Sequence, residues 1–144
     1  LFPYTTLFRS GRVGVLGVTV LTSVSVEDLQ NAGFRNEMVC DAETLVLHRT
    51  AMARQAGCAG VVCSPLEVKG IKTRFGKEFL TVTPGVRPSW QAVAEDDQRR
   101  VASPGRAVAD GADYLVIGRP IRNASDPVEA AEKIAGEIAS GTRE

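Results

Sequence analysis

The sequence predicts an α/β fold of about four parallel βα units, which is half of a (β/α)8 barrel. Apolar, β-branched segments alternate with segments of helical periodicity, in the order β-α repeated four times. Polar residues collect after the carboxyl ends of the apolar segments. Length is the third observation, because a complete barrel needs about 250 residues and this chain has 144.

The first unit is predicted to start with a strand over residues 14–23, an apolar run that ends in hydroxyl side chains. A short helix follows over residues 25–31, with Asp28 at the capping-box position of Ser25. A longer helix is predicted to begin after Asp41 and to close near Gly57. These two helices complete the connection to the second strand.

The second unit begins with the predicted strand GVVCS, residues 60–64. Ser64 is a candidate helix cap, Pro65 would be the first helical residue and Glu67 the third, which is a strong start signal. The third strand is predicted over residues 79–83, with the sequence FLTVT.

A polar stretch over residues 84–101 follows the third strand. Ser103 and Pro104 then have the residue types of a helix start, and this helix is predicted to stop near Gly111. The third unit therefore has a long polar segment between its strand and its helix.

The fourth strand is predicted over residues 114–118, with the sequence YLVIG. The segment RPIRN, residues 119–123, is predicted to connect it to a final helix. That helix is capped by Asp126, with Pro127 first, and ends around Ser140.

Residues 1–10, LFPYTTLFRS, are rich in aromatic side chains and have no clear period. They lack the ordered basic, apolar and small-residue regions of a signal peptide. We expect this segment to be a non-native leader and residues 11–144 to form the half-barrel domain.

Composition and charge narrow the functional classes. The chain is 44% hydrophobic and carries 17 basic and 17 acidic residues, so its formal net charge is zero. A neutral chain offers no general field for a nucleic-acid backbone or an anionic membrane, and we expect neither partner. The cysteines Cys40, Cys58 and Cys63 have no paired CxxC spacing, and His48 is the only histidine. This pattern predicts free thiols in a reducing compartment and no metal site.

The segments PGVRP and GRPIRN follow the last two predicted strands and suggest a phosphate site. Gly85 and Gly118 would let backbone N–H groups approach an anion, and Arg87 and Arg119 offer forked donors suited to phosphate oxygens. Barrels often bind phosphate with these two loops and the start of a short extra helix. The alternative is that both arginines are solvated surface charges.

Two further residues are weaker candidates on residue type alone. Gln98 could donate its amide to the same anion, but it is otherwise an ordinary loop residue. Thr22 could be a strand-end hydroxyl that hydrogen-bonds locally. Residue type alone does not decide whether Gln98 and Thr22 bind a ligand or only make local contacts.

Five segments, VTVLTS, GVVCSPLE, FLTVTPGVRP, DDQRRV and DYLVIGRPI, occur in this order between Val13 and Ser140. Their combination closely resembles the carboxy-terminal half of bacterial orotidine 5'-monophosphate decarboxylases. The resemblance implies a (β/α)8 barrel that needs no cofactor and no metal and converts orotidylate to uridylate and CO2 in pyrimidine synthesis. It also implies a cytoplasmic homodimer that binds orotidine 5'-monophosphate and uridine 5'-monophosphate.

The resemblance assigns residues to the substrate but none to the chemical step. It implies that Thr22 lies against the nucleotide and that four residues bind the 5'-phosphate: Arg87, Gln98, Gly118 and Arg119. The family's catalytic network of Lys and Asp, including the lysine that protonates C6, comes from an aspartate-x-lysine segment. No such segment occurs here, so we expect no catalytic residue in this chain and no activity from it alone.

Two other functions remain open on sequence. One is a related barrel enzyme acting on a sugar phosphate, such as a hexulose-phosphate synthase, which would need a set of metal-binding carboxylates. The other is a non-catalytic half-barrel that binds phosphate and self-associates through its open sheet edges.

Overall fold

The computed structural model describes residues 13–34, 41–90 and 100–141. Its strands form one parallel four-stranded sheet in the order of the sequence: β1 (Leu16–Val18), β2 (Gly60–Val62), β3 (Leu80–Thr83) and β4 (Tyr114–Leu115). The α-helices are α1 (Val26–Asn31), α2 (Ala42–Gln55), α3 (Val68–Phe75), α4 (Pro104–Ala109), α5 (Arg119–Arg122) and α6 (Pro127–Gly141). The predicted arrangement of four parallel βα units is confirmed.

The two faces of the sheet differ in burial. On the face that meets the helices, Val61 and Thr81 are fully buried. On the opposite face, one row runs across all four strands through Val18, Val62, Val82 and Tyr114. Val18 is 62% exposed and Tyr114 is 58% exposed. The second face therefore leaves apolar side chains uncovered.

The core lies between the sheet and helices α2 and α3. Its buried side chains include Val61 and Cys63 from β2 and its end, Val46 from α2, and Ile71 from α3. Gly17 explains the close approach of α2, because a Cβ atom there would lie 2.8 Å from the Cβ of Ala53. Apolar burial against one sheet face is what holds the layers together.

Most predicted helix starts are confirmed by side-chain caps. Ser25 and Asp28 form a complete capping box, and Asp41 accepts a hydrogen bond from the backbone N–H of Thr44. Ser103 caps α4, and Asp126 accepts from two N–H groups at the start of α6. Each cap satisfies N–H groups that have no partner inside the helix.

The structure corrects two details of the connections. The segment after Ser64 begins as a 3₁₀ turn, Pro65–Glu67, before it continues as α3. The segment 119–123, predicted as a plain connection, contains the helix α5, because the carbonyl of Gly118 accepts from the N–H groups of Ile121 and Arg122.

All four strands are shorter than predicted, since pairing lasts only as long as both neighbours stay extended. β1 pairs over three residues instead of ten, and β4 over two instead of five. The N–H of Val116 still bonds the carbonyl of Thr83, and β3 ends there. The segment 1–10 lies outside the described residues.

Candidate functional site

The chain turns sharply after β3 and buries an arginine. Gly85 has φ +77°, a left-handed conformation that favours glycine. Arg87 is 9% exposed, its backbone N–H donates to the carbonyl of Ala102 at 2.9 Å, and its Nη1 donates to the carbonyl of Val86 at 2.9 Å. Val86 also pairs with Ala102 as an isolated parallel bridge. These contacts fix the base of the segment between β3 and α4.

The chain after β4 turns directly into a helix. Gly118 lies at the start of α5, and a Cβ atom added there would meet no protein atom within 4 Å. Arg119 and Arg122 occupy the first and last positions of this helix. Residues three apart on a helix share a face, so both side chains can reach the same space.

A cleft of about 370 Å³ lies between these two turns. Its lining comes from the ends of β3 and β4 and from α5: Pro84, Gly85, Arg87, Val116, Gly118, Arg119 and Arg122. The structure thus brings together both predicted arginines and both predicted glycines. Three arginines and the exposed Gly118 therefore line one cleft, and arginine is the residue type best suited to binding a phosphate group.

Arg122 was not predicted as a site residue. From the sequence it belonged to a connection, and only a helix over 119–122 places it on the same side as Arg119. The spacing of three between two arginines directly after a strand is the signal that could have found it.

Thr22 and Gln98 have different outcomes. Thr22 is buried just beyond the end of β1 and is not among the residues that line the cleft. It follows the carboxyl end of β1, and its contact with the nucleotide stays a prediction. Gln98 lies outside the described residues.

A buried ion pair lies beside Thr22. Arg100 Nη1 is 2.6 Å from Glu67 Oε1, and the Glu67 side chain is 4% exposed. Burial raises the pKa of Glu67, and the positive charge of Arg100 opposes that shift. The other terminal nitrogen, Nη2, donates to the carbonyls of Val20 at 3.1 Å and Leu21 at 3.0 Å.

Cys63 and three aspartates have structural environments. Burial raises the pKa of the Cys63 thiol to about 12, which disfavours a nucleophilic thiolate. Asp41 caps α2, Asp110 pairs with Arg106, and Asp113 pairs with Lys72. Across residues 13–34, 41–90 and 100–141, no three His, Cys, Asp or Glu side chains cluster as a metal site.

No helix within those ranges has the length and apolar character needed to cross a bilayer.

Comparison with known proteins agrees with the fold. Two curated relatives are the orotidine 5'-phosphate decarboxylases of Desulfosudis oleivorans, 54% identical over 128 residues, and Syntrophus aciditrophicus, 52% identical over 127 residues. These alignments cover 89% and 88% of this chain but 51% and 49% of the relatives. The chain therefore spans about half the length of the curated relatives it matches.

Solved structures also match this chain over about half of their own length. The crystal structure of orotidine 5'-phosphate decarboxylase from Lactobacillus acidophilus has 40% sequence identity and a TM-score of 0.68, over 87% of this chain and 49% of that one. The Sulfolobus solfataricus orotidine 5'-monophosphate decarboxylase shares the fold with a TM-score of 0.63 at 21% identity. A family model, "Orotidine 5'-phosphate decarboxylase / HUMPS family", matches residues 5–134. The chain accordingly belongs to the orotidine 5'-phosphate decarboxylase / HUMPS family.

Proposed function

We propose that the chain is the carboxy-terminal half of an orotidine 5'-phosphate decarboxylase and that its cleft binds the 5'-phosphate of the nucleotide. The observation that carries this proposal is the convergence of Arg87, Arg119 and Arg122 on one cleft beside the open backbone of Gly118. Guanidinium groups bind phosphate oxygens through paired, charge-assisted hydrogen bonds. The relatives that align with this chain are named orotidine 5'-phosphate decarboxylases, and those names support orotidylate as the substrate.

The proposed reaction breaks the bond between C6 of the pyrimidine and its carboxylate. CO2 leaves, and the electron pair that remains on C6 takes a proton, which gives uridylate. The residue that supplies this proton belongs to the half of the enzyme that this chain does not match. Our proposal gives the present chain the binding role, with Thr22 and Gln98 next to the nucleotide and its phosphate.

Phosphate binding far from the reacting carbon still serves the reaction. Binding energy from a remote group can be used to orient the substrate and to stabilise the transition state. A half that holds the phosphate therefore contributes to turnover once the other half is present. On its own it should bind uridine 5'-monophosphate and release no CO2 from orotidylate.

The first test is the substitution Arg119→Ala, measured by calorimetric titration with uridine 5'-monophosphate. Loss of a charge-assisted contact to phosphate costs about 2 kcal/mol, so we expect about thirtyfold weaker binding. Arg74→Ala, an exposed arginine on α3, is the matched control and should leave the dissociation constant unchanged. Equal affinities for both variants would remove Arg119 from the site.

Two comparisons separate the other functions. Tighter binding of ribose 5-phosphate than of uridine 5'-monophosphate would favour a sugar-phosphate enzyme, the second branch of the family name. Turnover of orotidylate by the chain alone would reject the proposal that the catalytic groups lie elsewhere. If the chain binds uridine 5'-monophosphate but no turnover appears after the other half of the enzyme is added, a non-catalytic phosphate-binding module is favoured.

We also propose a homodimer in the cytoplasm. The uncovered apolar row on the sheet supports self-association of the isolated chain, because exposed apolar area of this kind is a common interface. The free thiols of Cys58 and Cys63 support a reducing compartment.

A further inference from the structure

Arg100 connects the ends of three strands. Its side chain reaches the end of β1, where Nη2 donates to the carbonyls of Val20 and Leu21. Its Nη1 is paired with Glu67, in the turn after β2. Its backbone carbonyl accepts a hydrogen bond from Ser64 Oγ at 3.3 Å, again beyond β2.

The backbone of the same segment continues to the end of β3. Ala102, two residues after Arg100, accepts the hydrogen bond from the Arg87 N–H and pairs with Val86. Arg87 lines the phosphate cleft, whereas Leu21 directly precedes Thr22. A short path therefore joins Thr22 to Arg87 through Arg100 and Ala102.

We propose that Arg100 is a positioning residue, which fixes the chain around Thr22 relative to Arg87 and so sets the spacing between two sides of the nucleotide site. The inference rests on the proposed nucleotide site, but the contacts of Arg100 stand without it. The side chain is 11% exposed and does not line the cleft, so it acts through its neighbours.

The forked shape of the guanidinium is what allows this role. One terminal nitrogen holds a carboxylate while the other holds two backbone carbonyls, and a planar fork keeps both directions fixed. A lysine has one ammonium group and can preserve the pair with Glu67 but cannot hold both carbonyls in the same geometry. Arg100→Lys should therefore separate the link to β1 from the ion pair.

The test uses four forms of the 144-residue chain: wild type, Arg100→Lys, Glu67→Gln and the control Asp113→Asn. Glu67→Gln keeps an oxygen that can accept from Arg100 and leaves the carbonyl contacts in place. Asp113 lies at the start of β4, outside the cleft, where it pairs with Lys72. The Asp113→Asn variant therefore shows how a loss of stability alone affects nucleotide binding.

Two readouts are measured on each form. The first is amide hydrogen exchange of the unliganded chain, followed at Thr22 and at Arg87. The second is the dissociation constant for uridine 5'-monophosphate. We expect Arg100→Lys to speed exchange at both positions and to weaken binding at least fivefold, Glu67→Gln to have a smaller effect, and Asp113→Asn to keep the dissociation constant within twofold.

The outcomes separate this inference from the proposed function. Unchanged exchange at Thr22 in Arg100→Lys would overturn the role of Arg100, as would an effect of Glu67→Gln equal to that of Arg100→Lys. If Arg100→Lys weakens binding no more than an equally destabilised Asp113→Asn, Arg100 is a stability residue only and the inference fails. If the wild type binds no nucleotide while exchange responds as expected, the nucleotide site fails and the link between the strands stands.

Discussion

At the scale of single residues, the two described cysteines differ in burial. Cys63 follows β2 in the core, is 1% exposed, and has a thiol pKa of about 12 because burial disfavours the thiolate and the charge of Glu67 adds to that effect. Cys58 lies at partial exposure before β2. Because the thiolate is the reactive form, the two residues should react at very different rates.

We expect iodoacetamide at about pH 8 to modify Cys58 and to leave Cys63 unmodified while the protein is folded, since Cys58 is partly exposed and Cys63 is buried. Peptide mass spectrometry after timed quenching measures both sites in one experiment. In denaturant the two rates should converge. Rapid labelling of Cys63 in the folded chain would show that the core around β2 opens readily.

Single residues also show what the sequence could predict of the site. Arg87 and Arg119 each follow a strand, and parallel strands bring their carboxyl ends to one edge, so their meeting was predictable. Arg122 was not predicted because the sequence-based prediction had no helix over residues 119–122, although the spacing of three between Arg119 and Arg122 fits one helix face. Arg100 was missed because its partners, the carboxylate of Glu67 and the carbonyls of Val20 and Leu21, lie far from it in the sequence, so no local pattern indicates these contacts.

At the scale of elements, a charged network at the amino end of β4 ties three of them together. Asp113 accepts hydrogen bonds from Lys72 of α3 at 2.6 Å and from the N–H of Thr81 in β3 at 2.7 Å. Lys72 also donates to the carbonyl of Phe79. Although partial burial raises the pKa of Asp113, the hydrogen bonds from Lys72 and Thr81 outweigh it and hold that pKa below its ordinary value of 3.8.

A carboxyl whose pKa is lowered on folding stabilises the fold above its ordinary pKa, and this contribution disappears as the pH falls toward the folded value. Because solvent screens this exposed carboxylate, Asp113→Asn should lower the free energy of unfolding by only about 1 kcal/mol near neutral pH and by progressively less below about pH 4. Urea titrations at several pH values measure this difference in the free energy of unfolding. Glu132→Gln, an exposed position on α6, is the control and should follow the wild type at every pH. Coincident curves for Asp113→Asn and wild type would exclude the network as a source of stability.

Element boundaries were predictable where a side chain sets them. Ser25, Asp41, Ser103 and Asp126 have the residue types of helix caps, and each accepts the expected backbone N–H. The strands were predicted too long, because the apolar run over 14–23 does not show where the neighbouring strand stops. The length of a strand depends on hydrogen bonding between two neighbouring segments, so neither segment alone determines it.

At the scale of the whole molecule, the sheet has one covered and one uncovered face. Within the described residues, β1 and β4 each pair with a single neighbour, so each leaves one edge unpaired. The uncovered face carries Val18, Tyr114 and Val116, all more than half exposed. Unpaired edges next to an apolar face favour association with other chains.

We expect the isolated chain to self-associate in a concentration-dependent manner, measured by sedimentation velocity. Val18→Asp places a charge on the uncovered face and should shift the equilibrium toward monomer by about tenfold, given the cost of burying an unpaired charge. Val128→Asp is the matched control, since Val128 is 68% exposed and belongs to helix α6 rather than to a strand. A wild-type chain that stays monomeric at all concentrations, or equal shifts in both variants, would contradict this use of the face.

The parallel bridge between Val86 and Ala102 has a consequence for how this family can vary. Because the two residues are paired directly, the separation of the ends of the intervening polypeptide does not depend on how many residues it contains. Doubling the length of such an insert costs only about 0.6 kcal/mol of closure entropy. Length changes confined to the positions between Pro88 and Gln98 would keep Arg87, Gln98 and Arg100, and would therefore cost the scaffold little.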